Sequence, residues 1–253
     1  MNQNGKIALV TGGSRGIGRD SAIALAEKGI AVIITYHHQK EKAAEVVAEI
    51  EANGGQAAAL QLDVSEVSSF NSFVSKLSAV LKEKWQRAHF DFLINNAGIS
   101  NHTPFLKVTE EEFDQIVNTH FKGVFFLTQK LVPHIADQGA IVNVSTMLTR
   151  AAAPGSGLYA AAKGAIEVFT RYLAKELGAR GIRANTVAPG AVNTEFSGDF
   201  YVKNPGLKDY IASQTALGRM GEASDIGGVV ASLCTAEMGW VTGQRIEAAG
   251  TVL

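Results

Sequence analysis

With 253 residues, 46% hydrophobic and 19% charged, the chain can bury one large core, and its composition excludes intrinsic disorder. Its 23 basic and 24 acidic residues leave a net charge of -1 with no Lys/Arg-rich run, which argues against a nucleic-acid partner. The single cysteine, Cys234, excludes an intrachain disulfide framework, and its apolar surroundings read as a buried inert thiol rather than a nucleophile.

The opening Met1-Asn2-Gln3-Asn4-Gly5-Lys6 leads into an apolar run of only four residues, Ile7–Val10, too short for a signal-peptide core or a membrane span. No membrane association is expected, and the expected location is the cytoplasm. The run itself predicts a first strand. Directly after it comes Thr11-Gly12-Gly13-Ser14-Arg15-Gly16-Ile17-Gly18, then an alanine-rich helical stretch over residues 20–28. Glycines there permit a tight turn and close backbone approach, while the helix start offers free N–H groups and a positive dipole end to a pyrophosphate. A glycine-rich loop alone is a weak signal, since glycines also serve ordinary turns. Its position between strand and helix favours dinucleotide binding.

A second strand over 31–35 ends in Thr35-Tyr36-His37-His38-Gln39-Lys40, where a dinucleotide fold that takes NAD usually places a carboxylate for the ribose 2′-hydroxyl. None is present, and Arg15 with Lys40 or a histidine could meet a 2′-phosphate, so NADP(H) is the expected cofactor. His37 and His38 also read as a solvated turn; adjacent histidines lack helical metal-pair spacing, and no metal is expected. Further apolar runs at 57–62, 90–94, 141–144, 182–187 and Arg245–Ala248 alternate with segments of helical period such as 41–52 and 65–84. The pattern predicts a single α/β domain over 1–253: a doubly wound Rossmann-type parallel sheet of about seven strands with helices on both faces. Residues 193–220 are the least regular, broken by Gly198, Asn204, Pro205 and Gly206 and rich in aromatics at Phe196, Phe200, Tyr201 and Tyr210; either a substrate lid or a plain surface excursion fits them.

Tyr159-Ala160-Ala161-Ala162-Lys163 lies at a predicted helix start, with the phenol and the ammonium four residues apart on one helical face. A phenol ionising near 10 needs a neighbouring cation to do acid/base work near neutrality. Such pairs also arise by chance on ordinary amphipathic helices.

Four motifs in order, Thr11 to Gly18, Asn95-Asn96-Ala97-Gly98, Tyr159 to Lys163 and Pro189-Gly190, closely resemble the short-chain dehydrogenase/reductase family, including its 3-oxoacyl carrier-protein reductase-like members, over essentially the whole chain. The resemblance implies an oxidoreductase that interconverts a ketone or aldehyde and an alcohol with NADP(H). By it, Gly12, Gly16 and Gly18, with Ser14, Arg15 and Ile17, would surround the pyrophosphate, while Tyr36 and His37 would lie on the adenosine ribose side. Asp63 and Val64 would bind the adenine, Asn95, Ala97 and Gly98 would shape the adenosine side, and Pro189, Gly190, Val192 and Thr194 would hold the nicotinamide. Tyr159 would be the general acid/base, and Lys163 would lower its pKa and bind the ribose. Thr146 stands at the family's usual serine, with Ser145 directed away on an extended strand. His120 stands where the family has an asparagine that holds a proton-relay water; a histidine with an ordinary pKa near 6.5 would make the relay pH-sensitive, or would only pack against the helix. Near the end, Ala249-Gly250-Thr251 replaces the family's Asp-Gly-Gly.

The resemblance also implies a homotetramer, or a dimer, formed through helices over 109–135 and 157–178. Reduction of a carrier-protein thioester would call for basic residues near those helices; Arg180 fits and Asp137 does not, which favours a free small-molecule carbonyl or alcohol. The competing reading is a catalytically weak NADP(H) sensor on the same fold.

Overall fold

The computed structural model describes residues 5–198 and 200–251. Met1 to Asn4 of the leader reading, Asp199 of the 193–220 segment, and Val252 and Leu253 lie outside the described residues. Seven strands, β1 (Ile7–Val10), β2 (Ala31–Tyr36), β3 (Ala57–Gln61), β4 (Phe90–Asn95), β5 (Ile135–Val144), β6 (Arg183–Pro189) and β7 (Arg245–Ala248), form one parallel sheet in the order β3-β2-β1-β4-β5-β6-β7.

Helices α1 (Gly16–Glu27), α2 (Lys40–Ala52), α3 (Phe70–Trp85), α4 (Glu110–Val117), α5 (Gly123–Leu131), α6 (Gly157–Glu176), α7 (Phe200–Lys203), α8 (Leu207–Gln214) and α9 (Ala223–Leu233) complete the chain. Successive strand side chains point to opposite faces, and both faces are covered. Ala8 and Val10 of β1 join Val32, Ile34 and Ile94 beneath Leu25 of α1, Val46 of α2 and Val230 of α9. Ile7 and Leu9 join Ile33, Leu93 and Ile141 beneath Phe70, Phe73 and Leu77 of α3, Leu127 of α5 and Leu173 of α6. The chain reverses its direction of winding between β1 and β4, which opens a crevice at the carboxyl ends of the strands.

Two elements differ from the sequence expectation. β5 begins at Ile135, six residues before its apolar run, because Ala136 to Gly139 pass through a register irregularity opposite Phe90 and Phe92. The helix expected over 109–135 is three pieces. A capping box between Thr109 and Glu112 starts α4, a π-helical turn over Asn118–Lys122 follows, and α5 runs into a 3-10 turn, Val132–His134, that contains Pro133. Among the described residues no helix is long and apolar enough to cross a membrane.

Candidate active site

At the end of β1, Thr11 Oγ1 accepts the backbone N–H groups of Asn96 and Ala97, each at 3.0 Å, and Asn96 Nδ2 donates to the carbonyls of Thr11 at 2.9 Å and Gly12 at 3.1 Å. These bonds bring the glycine loop so close to the end of β4 that a Cβ on Gly12, whose φ is +66°, would lie 2.8 Å from Ala97 Cα. A Cβ on Gly18 would overlap the Gly12 carbonyl. Arg15 caps α1 in an extended conformation and no side chain caps that helix, so its first-turn N–H groups stay available to an anion. This cradle fits a dinucleotide pyrophosphate.

Across the crevice, Thr194 lies 3.5 Å from where a Gly16 Cβ would be, Gly190 packs on Ala249, Val192 bridges to Gly221, and Pro189 ends β6. Gly16 and Thr194 are thus where the glycine loop and the segment after β6 come together. On the β2 side, Tyr36 accepts the Leu62 N–H through its carbonyl, and His37 Nε2 lies 3.2 Å from Asp63 Oδ2 with its ring 3.5 Å from that of His38. Burial pushes the Asp63 carboxyl up, but the Ser65 hydroxyl and amide, with His37 and His38, hold it below its ordinary value overall. Val64 presents its carbonyl to Gly123, where any side chain would collide with it.

Two cofactor-side positions gain partners that the sequence did not indicate. The Asn95 side chain is buried in a polar ladder, donating to Thr128 Oγ1 at 3.0 Å and Asn143 Oδ1 at 2.8 Å, so it braces the sheet. Lys42, the third residue of α2, joins Arg15 on Glu195. Both cations bind Glu195: Arg15 NH1 at 2.9 Å and Lys42 Nζ at 3.0 and 3.1 Å from its oxygens.

The reactive groups meet at the ends of β5 and α6. Thr146 follows β5, its Oγ1 accepting from Leu148 N at 3.3 Å, and its side chain is near enough to the Tyr159 phenol to favour the ionised form. Ser145 turns away as expected, donating to Glu167 Oε1 at 2.7 Å. Lys163 is buried one turn beyond Tyr159, its Nζ 5.9 Å from the Tyr159 ring centroid and 2.6 Å from the Val144 carbonyl to which it donates. Burial lowers Lys163 to about 8. Burial also raises Tyr159 above its ordinary value, with Thr146 opposing.

His120 lies within the π turn, fully buried, with its ring edge-on to Tyr159 at 5.1 Å between centroids and its Nε2 2.8 Å from the Ile99 carbonyl. Gly98 makes room for it: a Cβ there would come within 2.5 Å of His120 Cε1. Burial, reinforced by the charge of Lys163 and opposed by the Ile99 contact, depresses the imidazole to about 3. Burial thus favours the neutral ring. Its Nδ1 is buried without a hydrogen-bond partner.

Sequence reasoning passed over the polar support behind Thr146. Glu167 Oε1 accepts from Ser145, from Thr149 Oγ1 at 2.8 Å and from Arg245 Nε at 2.8 Å, while Arg245 NH2 donates to the Thr146 carbonyl at 3.2 Å. Only the position of Glu167 one turn beyond Lys163, on the same helical face, could have singled it out. Asn96 was visible within its motif but not as the residue that ties down the loop. Cys234 is buried and its thiol pushed up to about 12 by that burial. Among the described residues no group of three or more His, Cys, Asp or Glu side chains is placed to hold a metal ion.

A family model described as enoyl-(acyl carrier protein) reductase matches residues 12–250. An uncharacterized oxidoreductase of Methylorubrum extorquens is 39% identical over 248 residues, 98% of each chain. The 3-oxoacyl-[acyl-carrier-protein] reductase FabG of Staphylococcus aureus is 36% identical over 97% of each. Among solved structures, the angucycline C-6 ketoreductase LanV with bound NADP superposes at a TM-score of 0.94 with 35% identity, over 100% of this chain and 97% of that one. The reductase LugOII, which catalyses keto-reduction at C1 during lugdunomycin biosynthesis, superposes at 0.94 with 36% identity over the full length of both.

Proposed function

The chain belongs to the short-chain dehydrogenase/reductase family, whose members here point to an NADP(H)-dependent oxidoreductase, and we propose that it interconverts a ketone or aldehyde and an alcohol with Tyr159 as general acid/base. The observation that carries this reading is the grouping of Tyr159, Thr146 and Lys163 at the carboxyl end of β5 and the start of α6. The one-turn spacing of Tyr159 and Lys163 supports ketone chemistry over enoyl reduction.

NADP(H), once bound, supplies or takes up the hydride. Thr146 donates a hydrogen bond to the carbonyl oxygen and stabilises the negative charge that develops there. Tyr159, kept protonated by its raised pKa, gives its proton to that oxygen during reduction and takes it back during oxidation. Lys163 holds positive charge beneath the phenol and would bind the nicotinamide ribose. Arg15 and Lys42 supply the cations for a 2′-phosphate. His120, neutral at working pH, positions Tyr159 and the Ile99 backbone and does not itself titrate during turnover.

Loss of NADPH absorbance with a panel of ketones, compared with NADH and with Tyr159→Phe, tests the reading. Removing one general acid is expected to lower kcat by about 10²–10⁴ with NADPH affinity retained. Tight NADPH binding with no turnover across the panel would instead favour the sensor. Exposed Phe113 on α4 and Val168 and Tyr172 on α6 support a homotetramer, and the cytoplasm fits as its location. Light scattering that shows only a 26.8 kDa species would overturn the assembly.

A further inference from the structure

The mouth of the site is lined by rings that the chemistry just described does not use. Phe196, 41% exposed, sits 6.1 Å from the Tyr159 ring at 53°. Beyond the Gly198 turn, Phe200 of α7 stacks on His102 at 4.0 Å and 12°, with Tyr201 edge-on to Phe200 at 5.9 Å. The backbone of His102 belongs to the same mouth: Gly155, just ahead of α6, is so close that a Cβ on it would lie 3.0 Å from the His102 carbonyl. His102 is exposed and held below its ordinary pKa by partial burial, so it presents an uncharged flat ring. Rings left partly open to water beside an acid/base pair form a surface that another flat ring would cover, through offset or edge-to-face contact.

An acyl chain delivered on an acidic carrier protein would have to draw Arg180 out of its contacts within the chain. Arg180 donates to Asp137 at 2.8 Å, to the Val132 carbonyl at 2.9 Å and to the Ile135 carbonyl. Its charge is met by Asp137 and its donors tie the end of α6 to the start of β5. At the mouth, Lys208 is likewise engaged, donating to Asn193 Oδ1 at 2.9 Å and lying over the Tyr201 ring at 5.5 Å.

We propose that the substrate is a flat aryl or fused-ring aromatic ketone, gripped by Phe196 and the His102–Phe200 stack while its carbonyl reaches Tyr159 and Thr146. This rests on the ketone-reductase reading above. Phe196 and His102 are then specificity residues, and Phe196 and Phe200 contribute one wall of the pocket.

The experiment is a set of NADPH-dependent initial rates on 2-tetralone, cyclohexanone and the N-acetylcysteamine thioester of acetoacetate, for the wild type, Phe196→Leu and His102→Ala. The expected result is a kcat/KM for 2-tetralone about tenfold or more above that for cyclohexanone, with each variant lowering that ratio several-fold, mainly through KM. Preference for the thioester, equal efficiency on the two ketones, or equal loss on both in the variants would overturn the inference while leaving ketone reduction standing. If no carbonyl turns over, the reductase reading itself fails. Equilibrium dialysis of 2-tetralone against the NADP-loaded protein then decides the pocket separately: binding lost in both variants supports it, and absence of binding in the wild type overturns it.

Discussion

Around the glycine loop, spacing is set by side chains that are missing: Gly12 abuts Ala97, Gly18 abuts the Gly12 carbonyl, and Asn96 ties both to β4. Around the substrate mouth, spacing is set by side chains that are present, with Glu167 and Arg245 behind Thr146 and the rings of His102, Phe196 and Phe200 in front. The first region tolerates no addition and serves a ligand of fixed shape. The second can be rebuilt residue by residue without disturbing the first, which suits a site where the cofactor is constant and the carbonyl partner varies.

If that contrast holds, the largest effect should come from the polar support behind Thr146. Glu167→Leu leaves the Arg245 guanidinium, with a side-chain exposure of 9%, without its inner carboxylate, and removing one partner of a buried pair costs about 3 kcal/mol. Chemical denaturation should show the loss, and kcat should fall more than NADPH affinity, because Thr146 loses its backing. An unchanged denaturation midpoint would show that Glu247 alone satisfies Arg245.

Next in size is Gly18→Ala, where overpacking costs about 1–3 kcal/mol. NADPH titration by fluorescence should show roughly 10- to 100-fold weaker binding. The same titration on Phe196→Leu should show little change; equal weakening in both would dissolve the contrast.

A smaller effect follows from Lys163. Its pKa lies below its ordinary value, so the charge beneath Tyr159 is present below about 8 and lost as pH rises through it. Reductive kcat should therefore fall above that pH. His120, depressed to about 3, contributes no titration across this range, and a pH–rate profile of His120→Asn should keep the same midpoint. A midpoint that moves by a full unit would place His120 in the proton path.

The smallest effect is expected at Glu195. Exposed ion pairs are worth about 0–1 kcal/mol, so Glu195→Gln, which releases Arg15 and Lys42, should tighten NADPH binding only a few-fold. NADH affinity should not change, and the gain should shrink with added salt. Weaker NADPH binding would show instead that Glu195 holds the two cations in place for the 2′-phosphate.

The strands were legible because burial on both faces makes them continuous apolar runs, and the early part of β5 was not, because Asp137, Gln138 and Gly139 carry no such signal. Tyr159, Lys163, Thr146 and the glycines stood out through short local spacing. Glu167, Arg245, Lys42 and Glu195 did not, since their roles depend on partners up to 180 residues away. Asn95 was visible in its motif, but its sheet-bracing partners Thr128 and Asn143, 33 and 48 residues away, were not. His120 was found by its departure from the family, yet its charge state depended on burial that no spacing reports.

The π turn at Asn118–Lys122, where the Gly123 N–H reaches back to the Asn118 carbonyl, acts as a vernier between α4 and α5. One extra residue in the rod offsets the angular phase of the two helices by about 100°. Deleting a single codon within 118–122 would restore an unbroken α-helix and rotate one helix against the other. His120 would swing out from beneath Gly98, or Gly123 would leave the Val64 carbonyl. Length, more than residue identity, is what this stretch must preserve.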